Sequence, residues 1–422
     1  MRNTRTCYFI LIISLVSLPI ACPKAQTTNS GTQKSNINKE QFIKENIEFA
    51  AAQTELMLQR AGKPTTKNYP HSMKNDSTIQ FTNITGWTSG FFPGTLWHLY
   101  ELTKEDKWKT AAEEWTNSLE KLRDFTDHHD LGFMVYCSYG NADRLAPKPE
   151  YKDILLKSAH SLSTRFNKET GVIKSWNAFK PWTDSIVYTY PVIIDNMMNL
   201  EMLFYASKTS ENKDFYNIAV EHSDNTLKNH FRDDFSTYHV VSYNSDGTIL
   251  SKNTAQGYSD NSTWARGQAW AIYGYTMTYR ETKDLRYLEA ATKAADYYIE
   301  RLPEDLIPYW DFNVGMDGYT PGERSYASKF KEKLRDASAA AITCSALFEL
   351  GELSDNPSYT EKAIDMLYTL ASPEYRAKLG ENVNFIIRHC VGSIPHKSEI
   401  DKPLVYADYY FLEALIRYKN MK

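Results

Sequence analysis

Cysteine is scarce. The 422 residues hold five, and beyond residue 22 only Cys137, Cys344 and Cys390 remain. Three thiols make no disulfide framework for a domain of this size, so the fold must rest on its hydrophobic core. An excess of one charge is also lacking: 48 Lys and Arg face 52 Asp and Glu, a net charge of −4. Without a basic stripe the composition argues against a nucleic-acid partner. Glycine (18) and proline (16) are too few for a low-complexity chain, and 14% aromatic residues are too many for a disordered one. There is no paired-Cys zinc pattern, no His-Glu-x-x-His, no phosphate-cradling Gly-Lys-Ser/Thr loop, no dinucleotide glycine fingerprint and no Gly-x-Ser-x-Gly elbow. Nothing predicts a metal or cofactor.

Long apolar runs are missing too. The longest, residues 8–21 (YFILIISLVSLPIA), falls short of the ~20 residues a spanning helix needs. With Arg2 and Arg5 before it and small Ala21 at its end, it reads as a secretory signal over residues 1–22. Cys22 follows Leu18-Pro19-Ile20-Ala21, which resembles a bacterial lipoprotein site, although Pro19 stands where an aliphatic residue is preferred. A lipid anchor at Cys22 is expected; ordinary cleavage a few residues later is the alternative. Either way the chain is expected to be exported, as a periplasmic protein or an outer-membrane lipoprotein. Residues 23–38 (PKAQTTNSGTQKSNIN) suit a flexible tether.

What is present is a repeat. An apolar helix, a short polar turn, an aromatic and an amphipathic helix recur, and the aromatic pivots are Trp108, Phe215, Tyr287 and Tyr359, with a weaker copy at Tyr151. A leftover amphipathic helix at 40–61 and an aromatic-rich one at 406–419 complete a sixth hairpin across the chain ends. The prediction is all-α: an (α/α)6 toroid filling residues 39–422. The apolar helix of each pair lies inside and the amphipathic one outside. Gly94, Gly274 and residues 339–341 (AAA) allow close approach near the axis. An open solenoid is the alternative, but it has no reason to join its ends. The long links (65–90, 126–132, 170–191, 231–264, 305–336 and 375–406) fall on one face, which is the candidate site.

Two acids stand out. Asp130, in HHDLGF, opens an inner helix and could simply cap it. Asp195, in YPVIIDNMMNLEML, sits among apolar residues, where burial and a second nearby acid raise a carboxyl pKa and suit it for general-acid work. Its plain structural alternative is an Asp satisfied by an Arg or by backbone. Arg266 could grip a substrate carboxylate or pair with a core Asp, Asp195 included. Trp87, Trp176, Trp182 and Trp264 are either sugar platforms or core, and His239 (STYHVVSY) is either a donor to ligand or a packed loop residue.

At these residues the sequence resembles the bacterial unsaturated glucuronyl hydrolases, family 88 of the glycoside hydrolases. The resemblance runs from about Asn46 to the end through GWTSGFFPG, HHDLGF, IIDNMMNL, STYH, QGYSDNSTWARGQAWAIYG, YWDF, RDASAAAI and YADYYFLEAL. It implies a metal-free six-hairpin barrel acting on lyase-made fragments of glycosaminoglycans such as chondroitin, hyaluronan or heparin. In this reaction an acid protonates C4 of the terminal 4,5-unsaturated uronate while water adds at C5. The hemiketal formed opens and expels the next sugar. The resemblance places the acid/base at Asp195 and the second acid at Asp130. It places substrate contacts at Trp87, His129, Trp176, His239, Gln256, Arg266 and Tyr409. It departs at Ala255, where a His is expected before the Gln. Ser393 and Lys397, with Ser398, lie where relatives bind the second sugar and could hold a sulfate. A pectin-directed rhamnogalacturonyl hydrolase and a catalytically dead sugar binder are the alternatives.

Overall fold

The structure is a computed structural model that describes residues 1, 2, 6 and 38–421. Apart from residues 1, 2 and 6, the predicted signal lies outside the described residues, as do Cys22 and all but the last residue of the predicted tether. The compact unit that carries the fold spans Lys39–Lys422.

Six inner helices alternate with six outer ones. The outer set is α1 (Lys39–Ala61), α3 (Asp106–Asn117), α5 (Pro149–Ser163), α7 (Lys213–His230), α9 (Leu285–Glu300) and α11 (Pro357–Leu370). The inner set is α2 (Phe91–Thr103), α4 (Asn141–Leu145), α6 (Leu200–Ser210), α8 (Ala265–Thr282), α10 (Ala337–Leu353) and α12 (Val405–Asn420). Two inner helices differ from the expected uniform α-helix. α4 continues a π-helical stretch, Gly132–Gly140, and α6 continues a 3-10 turn, Ile194–Asn199. Such irregular turns cluster at functional sites, and these two carry the residues just after Asp130 and Asp195 itself.

Burial separates the layers as the patterning predicts. In α10 every residue from Ala337 to Phe348 is buried, whereas α9 buries a stripe of Tyr287, Ala290, Ala291, Ala294, Ala295 and Tyr298. The hairpin turn is stereotyped. The inner helix stops at a left-handed residue (Lys104, Glu211, Lys283 or Asp355), and two residues later the outer helix begins. Asn212, Asp284 and Asn356 cap outer helices by accepting the N–H two residues on. All five pivot aromatics are the third residue of an outer helix and are buried. Two of them strap neighbours together: Tyr287 donates to Asp224 of α7 (2.8 Å), and Tyr359 donates to Asp296 of α9 (2.7 Å).

The ring closes. α12 packs against both α10 and α2, so the open solenoid is ruled out. Across the chain ends Phe42 of α1 stacks on Tyr368 of α11 (3.9 Å between centroids) and meets Tyr418 of α12 edge-on. Lys39 Nζ donates to the Met421 carbonyl (2.7 Å).

The long links form short antiparallel ribbons on the face where the inner helices start: β1 (Tyr69–Met73) with β2 (Ile79–Thr82), and β3 (Phe166–Asn167) with β4 (Val172–Ile173). β5 (Pro191–Ile193), β6 (Val240–Tyr243) and β7 (Ile249–Asn253) make a three-stranded sheet, and β8 (Cys390–Ser393) pairs with β9 (Ser398–Lys402). No helix among the described residues is long and apolar enough to cross a membrane.

Small residues let the inner helices meet. A Cβ on Gly274 would come within 2.5 Å of Met197 Cβ, and one on Gly94 would come within 2.5 Å of the Tyr409 ring. Gly274→Ala is therefore expected to destabilise the fold by about 1–3 kcal/mol through overpacking. Chemical denaturation checks this, and an unchanged midpoint would show that the contact between α8 and the 3-10 turn before α6 is loose.

Candidate active site

The ribbons surround a cavity of about 690 Å³. Its walls come from links 65–90, 170–191, 231–264 and 375–406 and from the first turns of α8 and α12. The positive ends of the inner-helix dipoles lie at this face, which favours an anionic ligand. Trp87, Trp176 and Trp182 are half-buried on the wall, with aromatic surface free for a sugar. Trp264 is not a platform. It is buried, with the His239 ring at 4.4 Å and the Arg266 guanidinium at 4.5 Å.

Neither acid is on the wall itself; both are buried. Asp195 connects to the wall through the charge of Arg266 and through His239, which takes the Ala255 and Gln256 N–H groups. The environments of the two acids push them in opposite directions. Asp195 occupies the 3-10 turn before α6. Burial raises its pKa from 3.8 to about 7; Arg266 opposes that shift, and the charge of Asp130 adds to it. For Asp130 burial also favours the neutral form, but His129 and His128 outweigh it and hold the carboxyl below its usual value. His128 Nδ1 lies 3.0 Å from one Asp130 oxygen, and His129 Nε2 lies 3.3 Å from the other. At neutral pH the pair therefore holds one ionised carboxylate and one acid that keeps much of its proton. A pair split this way is the arrangement acid catalysis needs.

Histidine tautomers follow from the partners. The backbone N–H groups of Ala255 and Gln256 both approach His239 Nδ1 (3.2 Å), which must accept. Burial holds this imidazole neutral, so its proton sits on Nε2, 3.7 Å from Asp195 Oδ2. Neither atom has a hydrogen-bond partner. His239 is thus a donor aimed at the site. His129 is fixed similarly: its Nδ1 faces Asn199 Nδ2 (3.3 Å) and Ser175 Oγ (3.4 Å), leaving Nε2 toward Asp130.

Arg266 does not pair with Asp195. Its Nη1 meets Asp336 Oδ2 (2.9 Å) and the Val391 carbonyl, and its Nη2 meets the Gly392 carbonyl (2.6 Å). Asp336 also caps α10 through the Ser338 N–H (3.1 Å). Arg266 ties α8 and α10 to β8, and only its Nε lacks a partner. Gln256 reaches the same Gly392 carbonyl at 3.3 Å.

Two expected contacts lie elsewhere. Tyr409 is one helical turn deeper than the cavity. It receives a hydrogen bond from Asn141 (3.1 Å) and faces a separate cavity of about 610 Å³ at the other end of the barrel. Tyr406 takes the wall position. Lys397 is turned into a neighbouring groove with its ammonium 5.2 Å from the Tyr326 ring centroid, whereas Ser393 is on the wall and bonded to His396 Nδ1 (2.7 Å). Ala255 lines the wall with its small side chain and accepts a hydrogen bond from Trp182 Nε1 (2.9 Å). Residues not foreseen include Asn199, Asp336, Tyr406 and the His71–Glu399 pair. Asn199, Asp336 and Tyr406 lie inside the strings IIDNMMNL, RDASAAAI and YADYYFLEAL, which was the signal available, whereas no motif marks His71 or Glu399. The Asn199, Asp336 and His71–Glu399 contacts each join residues 55 or more apart. Among the described residues no cluster of three or more His, Cys, Asp or Glu could hold a metal.

The fold and the split pair of acids define a six-hairpin glycosidase. The profile of Glycosyl Hydrolase Family 88 matches residues 58–317. An unsaturated glucuronyl hydrolase of Formosa agariphila is 42% identical over 419 residues, covering 98% of each chain. An unsaturated chondroitin disaccharide hydrolase of Streptococcus pyogenes is 31% identical, covering 92% of this chain and 94% of its own. Among solved structures, an unsaturated glucuronyl hydrolase specific for heparin superposes with a TM-score of 0.81 at 43% identity, covering 90% and 97% of the two chains. The chain belongs to glycoside hydrolase family 88, and its activity is that of an unsaturated glucuronyl hydrolase.

Keeping Asp195 buried has a thermodynamic sign. Its folded-state pKa is raised, so the folded form holds the proton more tightly and loses stability as pH climbs from about 4 through about 7. Asp195→Asn should therefore raise unfolding free energy at about pH 8 by up to ~4 kcal/mol and change it little at about pH 4. Urea midpoints at the two pH values test this; equal shifts at both would mean the carboxyl is not desolvated.

Proposed function

We propose that Asp195 is the general acid that protonates C4 of a 4,5-unsaturated uronate at the non-reducing end of a glycosaminoglycan fragment. The observation that carries this reading is its raised pKa, about 7, beside an ionised neighbour. A vinyl ether is a weak base, so the donor must still be protonated at working pH and must be pre-positioned. Asp130, held charged by His128 and His129, keeps Asp195 from ionising and offers a negative charge to the oxocarbenium that forms at C5. Water adds there, the hemiketal opens, and the second sugar leaves. The anomeric carbon is not attacked, so the carboxylate spacings that separate retaining from inverting enzymes do not apply. Trp87 and Trp176 pack on the sugars, while His239 Nε2, His129, Gln256 and Arg266 Nε supply donors. One relative is an unsaturated chondroitin disaccharide hydrolase and a similar solved structure is specific for heparin, which supports a glycosaminoglycan source over a pectin one.

Asp195→Asn should lower kcat at least about a thousandfold while leaving disaccharide binding measurable. Loss of the conjugated-alkene absorbance reads the rate, and titration calorimetry reads the binding. In the wild type the protonated fraction of Asp195 falls as pH rises through about 7, so kcat/KM should decline above that pH. Asp130→Asn removes a charge that raises Asp195, so its alkaline limb should move to lower pH; a limb that stays in place would dissociate the two acids.

We further propose that the chain is exported and tethered by lipid on Cys22. Cys22→Ala should shift the protein from membrane to soluble fractions and abolish labelling by a radioactive fatty acid. Retention of either label or membrane association would exclude the tether.

A further inference from the structure

One side of the cavity wall has a character that the expected sulfate contact does not share. Glu399 is the only Asp or Glu on the wall among the described residues. It lies on β9 in left-handed backbone (φ +45°), where a non-glycine residue is strained. Its Oε1 faces His71 Nε2 (3.2 Å) and Gln80 Nε2 (3.1 Å), and its Oε2 accepts from Ser398 Oγ (2.5 Å). Although burial opposes ionisation, the His71, Ser398 and Gln80 hydrogen bonds hold this carboxyl down at about 2. The carboxylate covers Gly392, where a Cβ would fall 2.4 Å from Oε2. The carbonyl of that glycine is held by Arg266 and Gln256, so the charge stands next to the groups that face the substrate.

The groups that could have received a sulfate are otherwise engaged. Ser398 Oγ is bound to Glu399, Ser393 Oγ to His396, and Lys397 faces another groove. Burial lowers the pKa of His396, which leaves it neutral. Lys180 is the single ammonium on the wall among the described residues, and it is exposed on the 170–191 link.

Resting on the proposed hydration of unsaturated disaccharides, we infer that Glu399 is a specificity-determining residue that rejects a sulfated second sugar and accepts a neutral one. A carboxylate with three of its roughly four acceptor positions filled has one left for a hydroxyl or amide N–H of that sugar. A sulfate placed there meets like charge across a partly desolvated wall, which suppresses the wrong ligand.

The test compares kcat/KM on the unsaturated uronyl–N-acetylgalactosamine disaccharide and on its 6-sulfate. Wild type should favour the unsulfated substrate by about tenfold or more. In Glu399→Gln that ratio should shrink at least about threefold, chiefly through faster turnover of the sulfated substrate. Gln80→Lys, which sets an ammonium against Glu399 and leaves the carboxylate in place, should shrink it in the same direction. A wild-type ratio near one, as Lys180 holding the sulfate would give, overturns the inference. So does an unchanged ratio in whichever variant folds, judged by its melting temperature. Absence of turnover on both disaccharides would instead overturn the reading of the site itself.

Discussion

The site depends on one contest, between the cost of removing a carboxyl from water and the attraction of a nearby guanidinium. Asp195 is buried close enough to Arg266 to feel its charge, and a free Arg there would pull the proton off. Arg266 is not free. Asp336 and two β8 carbonyls surround it, so much of its charge is already answered. Desolvation then prevails at Asp195, and Asp130, fixed in its charged form by two histidines, adds to the shift.

The barrel makes this contest possible by separating its two ends. Inner helices begin at the long-link face, where N-terminal dipoles, half-buried tryptophans and the acids gather. They finish at the opposite end, where Glu349 joins Arg280 (2.7 Å) to Arg417 (2.6 Å) and Tyr273 donates to Glu413 (3.0 Å). That network also draws in Glu201 and Glu281 through Arg280, and it is separate from the charged groups of the catalytic face. The π-helical stretch after Asp130 and the 3-10 turn holding Asp195 are where regular helix geometry yields to the site.

Much of the fold was legible from periodicity. The pivots at Trp108, Tyr151, Phe215, Tyr287 and Tyr359 mark the hairpin turns because an aromatic at the third position of each outer helix must be buried for the pair to pack. The site was legible in part. Asp130, His129, Asp195, His239, Trp87, Trp176 and Gln256 do converge, and Arg266 does so with an unexpected partner. Tyr409 was misplaced because Tyr406 and Tyr409 are adjacent on one helical face, and helical spacing carries no information about depth along the barrel axis. Lys397 was misplaced because a ribbon turn sends successive side chains to different grooves.

The sequence alone determined what depends on local order: twelve helical segments, their inner or outer character, the link lengths, and an acid stranded among apolar residues. Tertiary structure decided what depends on approach between distant segments. It chose Asp336 over Asp195 as the partner of Arg266, set the His239 tautomer through the Ala255 and Gln256 amides, and brought Glu399 against His71 and Gln80. Burial and electrostatic fields are sums over neighbours, and the chain order does not record which neighbours those are.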